Sequence, residues 1–125
     1  MKLNLSEATR LQACIVDLDG TLVDTLGDFE VALNHMLATL DRPPVTRAVI
    51  GQLVGKGSEH LIRSVLAHGE RQRGVIDFVA PEELVKRAWR AYQENYLLIN
   101  GRYSAVYPGV QEGLLALLSG GLGLA

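Results

Sequence analysis

The chain has 125 residues, about one average domain, with room for one modest core. Hydrophobic residues make up 48%, which is globular composition and excludes intrinsic disorder. Lys and Arg number 12 against 14 Asp and Glu, scattered along the chain, so no basic run supplies the field that a nucleic-acid or membrane-surface protein needs.

The N-terminal "MKLNLSEATR" lacks the apolar centre of a signal peptide, and no stretch reaches the ~18 apolar residues of a membrane span. One cysteine, Cys14, sits in an apolar run and excludes an internal disulfide framework; a buried, reduced thiol is expected. Together these predict a soluble cytoplasmic protein with no nucleic-acid or membrane partner. Oligomeric state is left open.

Leu11 to Asp17, "LQACIVD", predicts a short strand apolar enough to be buried on both faces, as in the parallel sheet of an α/β protein. A turn, "DGT", follows. Leu26, Phe29, Leu33, Met36, Leu37 and Leu40 then fall three or four apart, predicting a helix with Thr25 as its N-cap. "DRPP", Asp41 to Pro44, stops it, because proline disfavours helical geometry in the residue before it. A second helix is expected over Val45 to Leu53. After the loop "VGKGS", Ser58 can cap a third helix with Leu61, Ile62, Val65 and Leu66 on its inner face, closed by Gly69. "ERQRGVIDFVA" has no clean period and predicts a connection. Pro81, Glu82 and Glu83 make a good first turn, with the acids at the positive end of the helix dipole. From there Val85, Trp89, Tyr92, Tyr96 and Ile99 form the longest apolar stripe. One more helix starts near Pro108 and ends at Gly120, and the final "LGLA" can begin a second strand.

One strand, a block of helices, a further helix and a strand stub are an odd order for a finished domain, since a parallel sheet needs several strands with crossovers. The expectation is a chain that stops before its sheet is complete.

The chemistry concentrates in "DLDGT". Strand side chains alternate faces, so Asp17 and Asp19 would point the same way, about 6–7 Å apart on an extended backbone. Ligands of open α/β sheets bind at the carboxyl ends of strands, where this pair sits. Gly20 permits a sharp turn, and the amides after it, with Thr21, can face an anion. Hard oxygen donors with a phosphate oxygen as a further ligand suit Mg²⁺. Three readings stand. Asp17 could attack phosphorus while Asp19 protonates the leaving oxygen and later activates water. Both could merely hold metal. Or "DG" is a plain turn signal and the acids are solvated.

"CIVDLDGTLVDT" resembles the first motif of the haloacid dehalogenase superfamily, in its phosphatase branch, through Asp17, Asp19, Gly20, Thr21, Leu22, Asp24 and Thr25. The remainder is similar to the phosphoglycolate phosphatase-like subgroup. That subgroup has a helical cap inserted after the first strand and flap, a Gly-x-Gly loop in the cap ("GKG", Gly55, Lys56 and Gly57), and a return segment like "YPGVQEGLLAL". The resemblance implies an α/β fold with a Rossmann-like core and an inserted α-helical cap. Residues 1–24 would carry the first strand and catalytic loop, 25–102 the cap, and 103–125 the return into the core. It further implies Asp17 as nucleophile and metal ligand, Asp19 as general acid/base with its carbonyl on the metal, Gly20 and Thr21 at the phosphate, and Mg²⁺ as cofactor. Dehalogenases replace the second aspartate with a bulkier residue, so Asp19 points to phosphoryl transfer.

The family's later motifs are a Ser/Thr at the phosphate, a Lys, and an acidic pair on the metal. The chain ends at Ala125 before any of them. It is therefore expected to be the N-terminal part of a phosphatase, inactive by itself. The substrate implied is a small phosphorylated metabolite, 2-phosphoglycolate first. The alternatives are a sugar-phosphate phosphatase or phosphomutase of the same superfamily, or a non-catalytic module binding Mg²⁺ or a partner through its helices. Lys56 is a candidate substrate contact, against the commoner case of a solvated loop lysine. His35, His60 and His68 are isolated, and Trp89, Tyr92 and Tyr96 fit a cap core better than a binding box.

Overall fold

The computed structural model describes residues 11–125. They form two compact units, one of residues up to Asp24 together with Val106–Ala125, the other of Thr25–Ala105.

In the first unit, β1 (Ala13–Cys14) runs parallel to β4 (Gly123–Leu124), with Ala13 opposite Gly123 and Cys14 opposite Leu124. The ladder bonds reach further than these two residues. Gly123 N–H donates to the Gln12 carbonyl at 2.9 Å, Ala125 N–H to Cys14 at 3.1 Å, and Val16 N–H to Ala125 at 2.8 Å. The strand stub expected at "LGLA" is thus present. The expected strand Leu11 to Asp17 is shorter, because regular pairing extends only as far as its partner accompanies it. Nor is it buried on both faces: Ile15 is 88% exposed and Leu11 55%. The unit also holds β2 (Val23–Asp24), neighbour of β3 (Ala105–Val106), and α5 (Val110–Ser119). Tyr107 N–H donates to the Leu22 carbonyl at 3.0 Å. No residue of α5 is fully buried, and Leu115 and Leu118 stand exposed.

The second unit carries the hydrophobic core. It comprises α1 (Leu26–Thr39), α2 (Arg47–Leu53), α3 (Ser58–Gln72) and α4 (Glu82–Ile99). The stripes expected from spacing are the ones buried: Leu33, Met36 and Leu37 from α1, Leu61, Ile62, Val65 and Leu66 from α3, and Val85, Tyr92 and Ile99 from α4. Each such aliphatic side chain stabilises by roughly 1.5–3 kcal/mol relative to exposure. Along α4 the aromatic stripe is a packed ladder. Tyr92 and Tyr96 stack with centroids 5.5 Å apart, and Tyr96 stacks on Phe29 of α1 at 6.0 Å. Burial pushes the Tyr92 phenol up to about 12, with Tyr96 adding to the effect and the Ser58 hydroxyl offsetting part of it. A phenol held neutral in this way belongs to the core.

Several helix ends differ from expectation. Thr25 holds the N-cap position expected of it, but in a helical conformation and without a side-chain cap bond. The second helix begins at Arg47 and not Val45: Thr46 caps it, its hydroxyl accepting from Val49 N–H at 3.4 Å. Val45 is taken instead by Asn34, whose amide accepts from Val45 N–H at 2.8 Å and donates to its carbonyl at 3.0 Å. Gly57, at φ 87°, occupies the cap position expected for Ser58, which is the first residue of α3. Gly69 does not close α3. The helix continues to Gln72 and stops at Gly74, φ 88°, where Gly74 N–H donates to Arg71 and Val75 N–H to Glu70, both at 3.0 Å. That double bond pattern satisfies the last carbonyls and needs a left-handed residue, which Gly74 supplies and a helical Gly69 does not. The same pattern ends α1, with Asp41 N–H on Ala38 and Arg42 N–H on Leu37, but there Asp41 takes the left-handed position at φ 54°.

Candidate active site

Asp17 and Asp19 lie just beyond β1, both exposed, in the turn that leads to β2. The turn is built around two carbonyls. Leu18 O accepts from the amides of Thr21, Leu22 and Val23 at 3.3, 2.9 and 3.0 Å, while Gly20 N–H donates to Val23 O at 2.8 Å. Gly20 sits at φ 77°, a conformation that costs an L side chain about 1–2 kcal/mol, so the sequence supplies glycine where the chain reverses. These bonds converge on the carbonyls of Leu18 and Val23, not on that of Asp19. Folding back brings Thr21 onto Asp17: its hydroxyl donates to Asp17 Oδ2 at 3.2 Å. The turn thus presents two carboxylates to solvent, and one of them is oriented by a hydroxyl.

Among the described residues no group of three or more His, Cys, Asp or Glu converges to hold a metal ion. Mg²⁺ is commonly held by only one or two carboxylates, with water and phosphate oxygens completing the octahedron. Asp17 and Asp19 are hard oxygen donors and fit that ion as a partial set. An apolar groove in the same unit, lined by Leu18, Leu22, Val106, Val110, Leu114 and Leu115, contains neither aspartate.

Gly55, Lys56 and Gly57 belong to the helical unit, between α2 and α3, and all three are exposed. His35 and His60 are exposed and His68 half-buried. No helix among the described residues is long and apolar enough to cross a membrane.

One buried carboxylate escaped the sequence reading. Asp28, in the first turn of α1, is 1% exposed. It accepts from Gly101 N–H at 2.9 Å, from Tyr103 N–H at 2.8 Å and from the Ser104 hydroxyl. Burial alone would raise its pKa, but the bonds from Ser104, Tyr103 and Gly101 together outweigh it and hold the carboxyl below its ordinary value. Its only sequence signal was an acid beside an apolar stripe, which a first-turn dipole partner gives equally well.

A phosphoglycolate phosphatase of Nitrosospira multiformis is 37% identical over 118 residues, covering 92% of this chain and 48% of that protein. The plasmid phosphoglycolate phosphatase of Cupriavidus necator is 36% identical over 113 residues, covering 90% of this chain and 46% of that protein. The chain therefore spans about half the length of the curated relatives it matches. Among solved structures, a predicted phosphoglycolate phosphatase from Haemophilus somnus superimposes with a TM-score of 0.78 at 26% identity, over 94% of this chain and 51% of that one. The likeness confirms the expected α/β architecture with an inserted helical block. The model of the haloacid dehalogenase-like hydrolases matches residues 14–125, from β1 through both aspartates to the last residue, and the chain belongs to that family.

Proposed function

We propose that this chain carries the nucleophile half of a Mg²⁺-dependent phosphatase acting on a small phosphorylated metabolite, 2-phosphoglycolate first among them. The observation that carries this reading is the exposed Asp17–Asp19 pair on a glycine turn at the carboxyl end of a parallel strand, with Thr21 bonded to Asp17. The names of the relatives support the substrate.

In this reading Asp17 attacks phosphorus, the bond from phosphorus to the leaving oxygen breaks, and Asp19 delivers its proton to that oxygen. Asp19, now a carboxylate, then takes a proton from water as that water attacks the aspartyl-phosphate, which releases phosphate and restores Asp17. The Thr21 hydroxyl bond to Asp17 would help orient the attacking oxygen before substrate arrives. Asp17 and Asp19 would hold Mg²⁺, which supplies charge neutralisation of the phosphoryl oxygens when bound. Lys56 in the Gly55–Lys56–Gly57 loop is the candidate for a cationic contact to the substrate's own carboxylate.

The test is phosphate release from 2-phosphoglycolate, several sugar phosphates and an aryl phosphate, with and without Mg²⁺. The protein assayed joins residues 1–125 to the C-terminal half of the Nitrosospira multiformis relative. Expected is Mg²⁺-dependent turnover, fastest on 2-phosphoglycolate and absent in the Asp17→Asn version. Undiminished turnover in that variant would overturn the nucleophile assignment.

A further inference from the structure

Chain crossings between the two units occur at Asp24–Thr25 and at Ala105–Val106. Inside the helical unit, the residues next to these crossings are bound to each other by two unrelated devices. The first is polar. Both oxygens of the buried Asp28 are used, Oδ1 by Tyr103 N–H and Oδ2 by Gly101 N–H and the Ser104 hydroxyl, so one side chain accepts from three of four consecutive residues. The second is steric. Gly27 is buried, and a Cβ placed on it would overlap the Tyr103 carbonyl, so the return segment lies against α1 only because position 27 has no side chain.

Beyond Ser104 the chain pairs with β2 through β3, but residues 101–104 themselves bury little apolar surface. Gly101 is at φ 85°, and Arg102 N–H bonds back to Ile99 at 2.8 Å, ending α4. Gly101, Arg102, Tyr103 and Ala105 are exposed, and only Ser104 is half-buried. Within residues 101–104 its attachment to α1 thus rests on the bonds to Asp28 and the close approach at Gly27, not on a buried apolar surface.

We propose that Gly27 and Asp28 form a latch on Gly101–Ser104 that opens as a local unit, separately from the helical core. No phosphatase chemistry enters this inference, so it stands or falls apart from the proposed function.

Amide hydrogen exchange on the 125-residue chain tests it, residue by residue and over a series of low urea concentrations. Asp28→Asn is nearly isosteric but offers one acceptor oxygen where two are needed, so one of the two amides loses its partner. Gly27→Ala pushes at the same segment without touching the carboxylate. Expected is exchange at Gly101 and Tyr103 faster by about tenfold or more in both variants, with little urea dependence, while Val65 and Ala88 in the core keep wild-type protection. Three results would overturn the latch. Gly101 and Tyr103 could exchange at free-peptide rates in the wild type. They could stay protected in both variants. Or the variants could speed all amides of residues 25–105 alike, with the urea dependence of global unfolding, which would reduce Asp28 to an ordinary contributor to core stability.

Discussion

Thr21 donates its hydroxyl to Asp17 Oδ2 at 3.2 Å, across a turn in which Leu18 O gathers three amides. The nucleophile candidate is therefore bonded by its own loop, four residues away. Replacing Thr21 by Val keeps the shape and removes the bond. In the joined phosphatase described above, Thr21→Val should lower kcat by a modest factor and leave the fold intact, because a solvent-exposed neutral-to-charged hydrogen bond contributes on the order of 1–2 kcal/mol. Steady-state kinetics check it. Asp17→Asn should abolish turnover altogether, since an amide neither attacks phosphorus nor binds metal as an anion. Asp19→Asn should slow both formation and hydrolysis of the aspartyl-phosphate, as rapid-quench measurements would show.

Lys56 is exposed on the loop before α3. If it contacts the carboxylate of 2-phosphoglycolate, Lys56→Ala should raise KM for that substrate far more than for an aryl phosphate. The penalty expected is roughly 1.5–3 kcal/mol, that of a lost hydrogen bond to a charged group. Equal changes for both substrates would return Lys56 to a solvated loop residue.

Asn34 makes a two-way bond with the backbone of Val45, which is itself buried. Asn34→Leu should destabilise the helical unit by about 2–4 kcal/mol, because both polar groups of Val45 lose their partner in a part-buried site. Asp41 offers the opposite test. It holds a left-handed position at the end of α1 that glycine occupies without strain, so Asp41→Gly should raise stability by about 0.5–1 kcal/mol. Urea denaturation followed by far-ultraviolet circular dichroism measures both.

The acid dependence of stability follows from Asp28. Its folded pKa lies below the ordinary 3.8, so at and above that value the folded state gains from the ionised carboxylate. The gain is complete above the unfolded pKa and is lost as pH falls through the lower, folded value. Urea midpoints measured from pH 6 downward should therefore fall more steeply below 3.8 for the wild type than for Asp28→Asn. Parallel curves would remove Asp28 as the source.

The helices and the aspartate pair could be read from the sequence because each is encoded locally. Leu61, Ile62, Val65 and Leu66 lie within two turns of one helix and must share a face whatever surrounds them. Asp17, Asp19, Gly20 and Thr21 close their own turn. The end of α3 could not be chosen in advance between Gly69 and Gly74, since both are glycines and only the bonds made by Gly74 and Val75 decide. The run Leu11–Asp17 is apolar on both faces, but cover for a strand comes from other elements, and Ile15 finds little among the described residues. Asn34 with Val45, and Asp28 with Gly101, Tyr103 and Ser104, were invisible for the same reason. Their partners lie 11 residues away in the first case and 73 to 76 in the second. A polar side chain carries no mark of which distant amide it will meet. The sequence by itself determined which segments are helical and where the candidate carboxylates sit, because those depend on neighbours within a turn or two. Tertiary structure alone decided that Asp28 would be a buried acceptor and Gly27 a point of close approach, because packing α1 against α4 is what delivers the return segment to them.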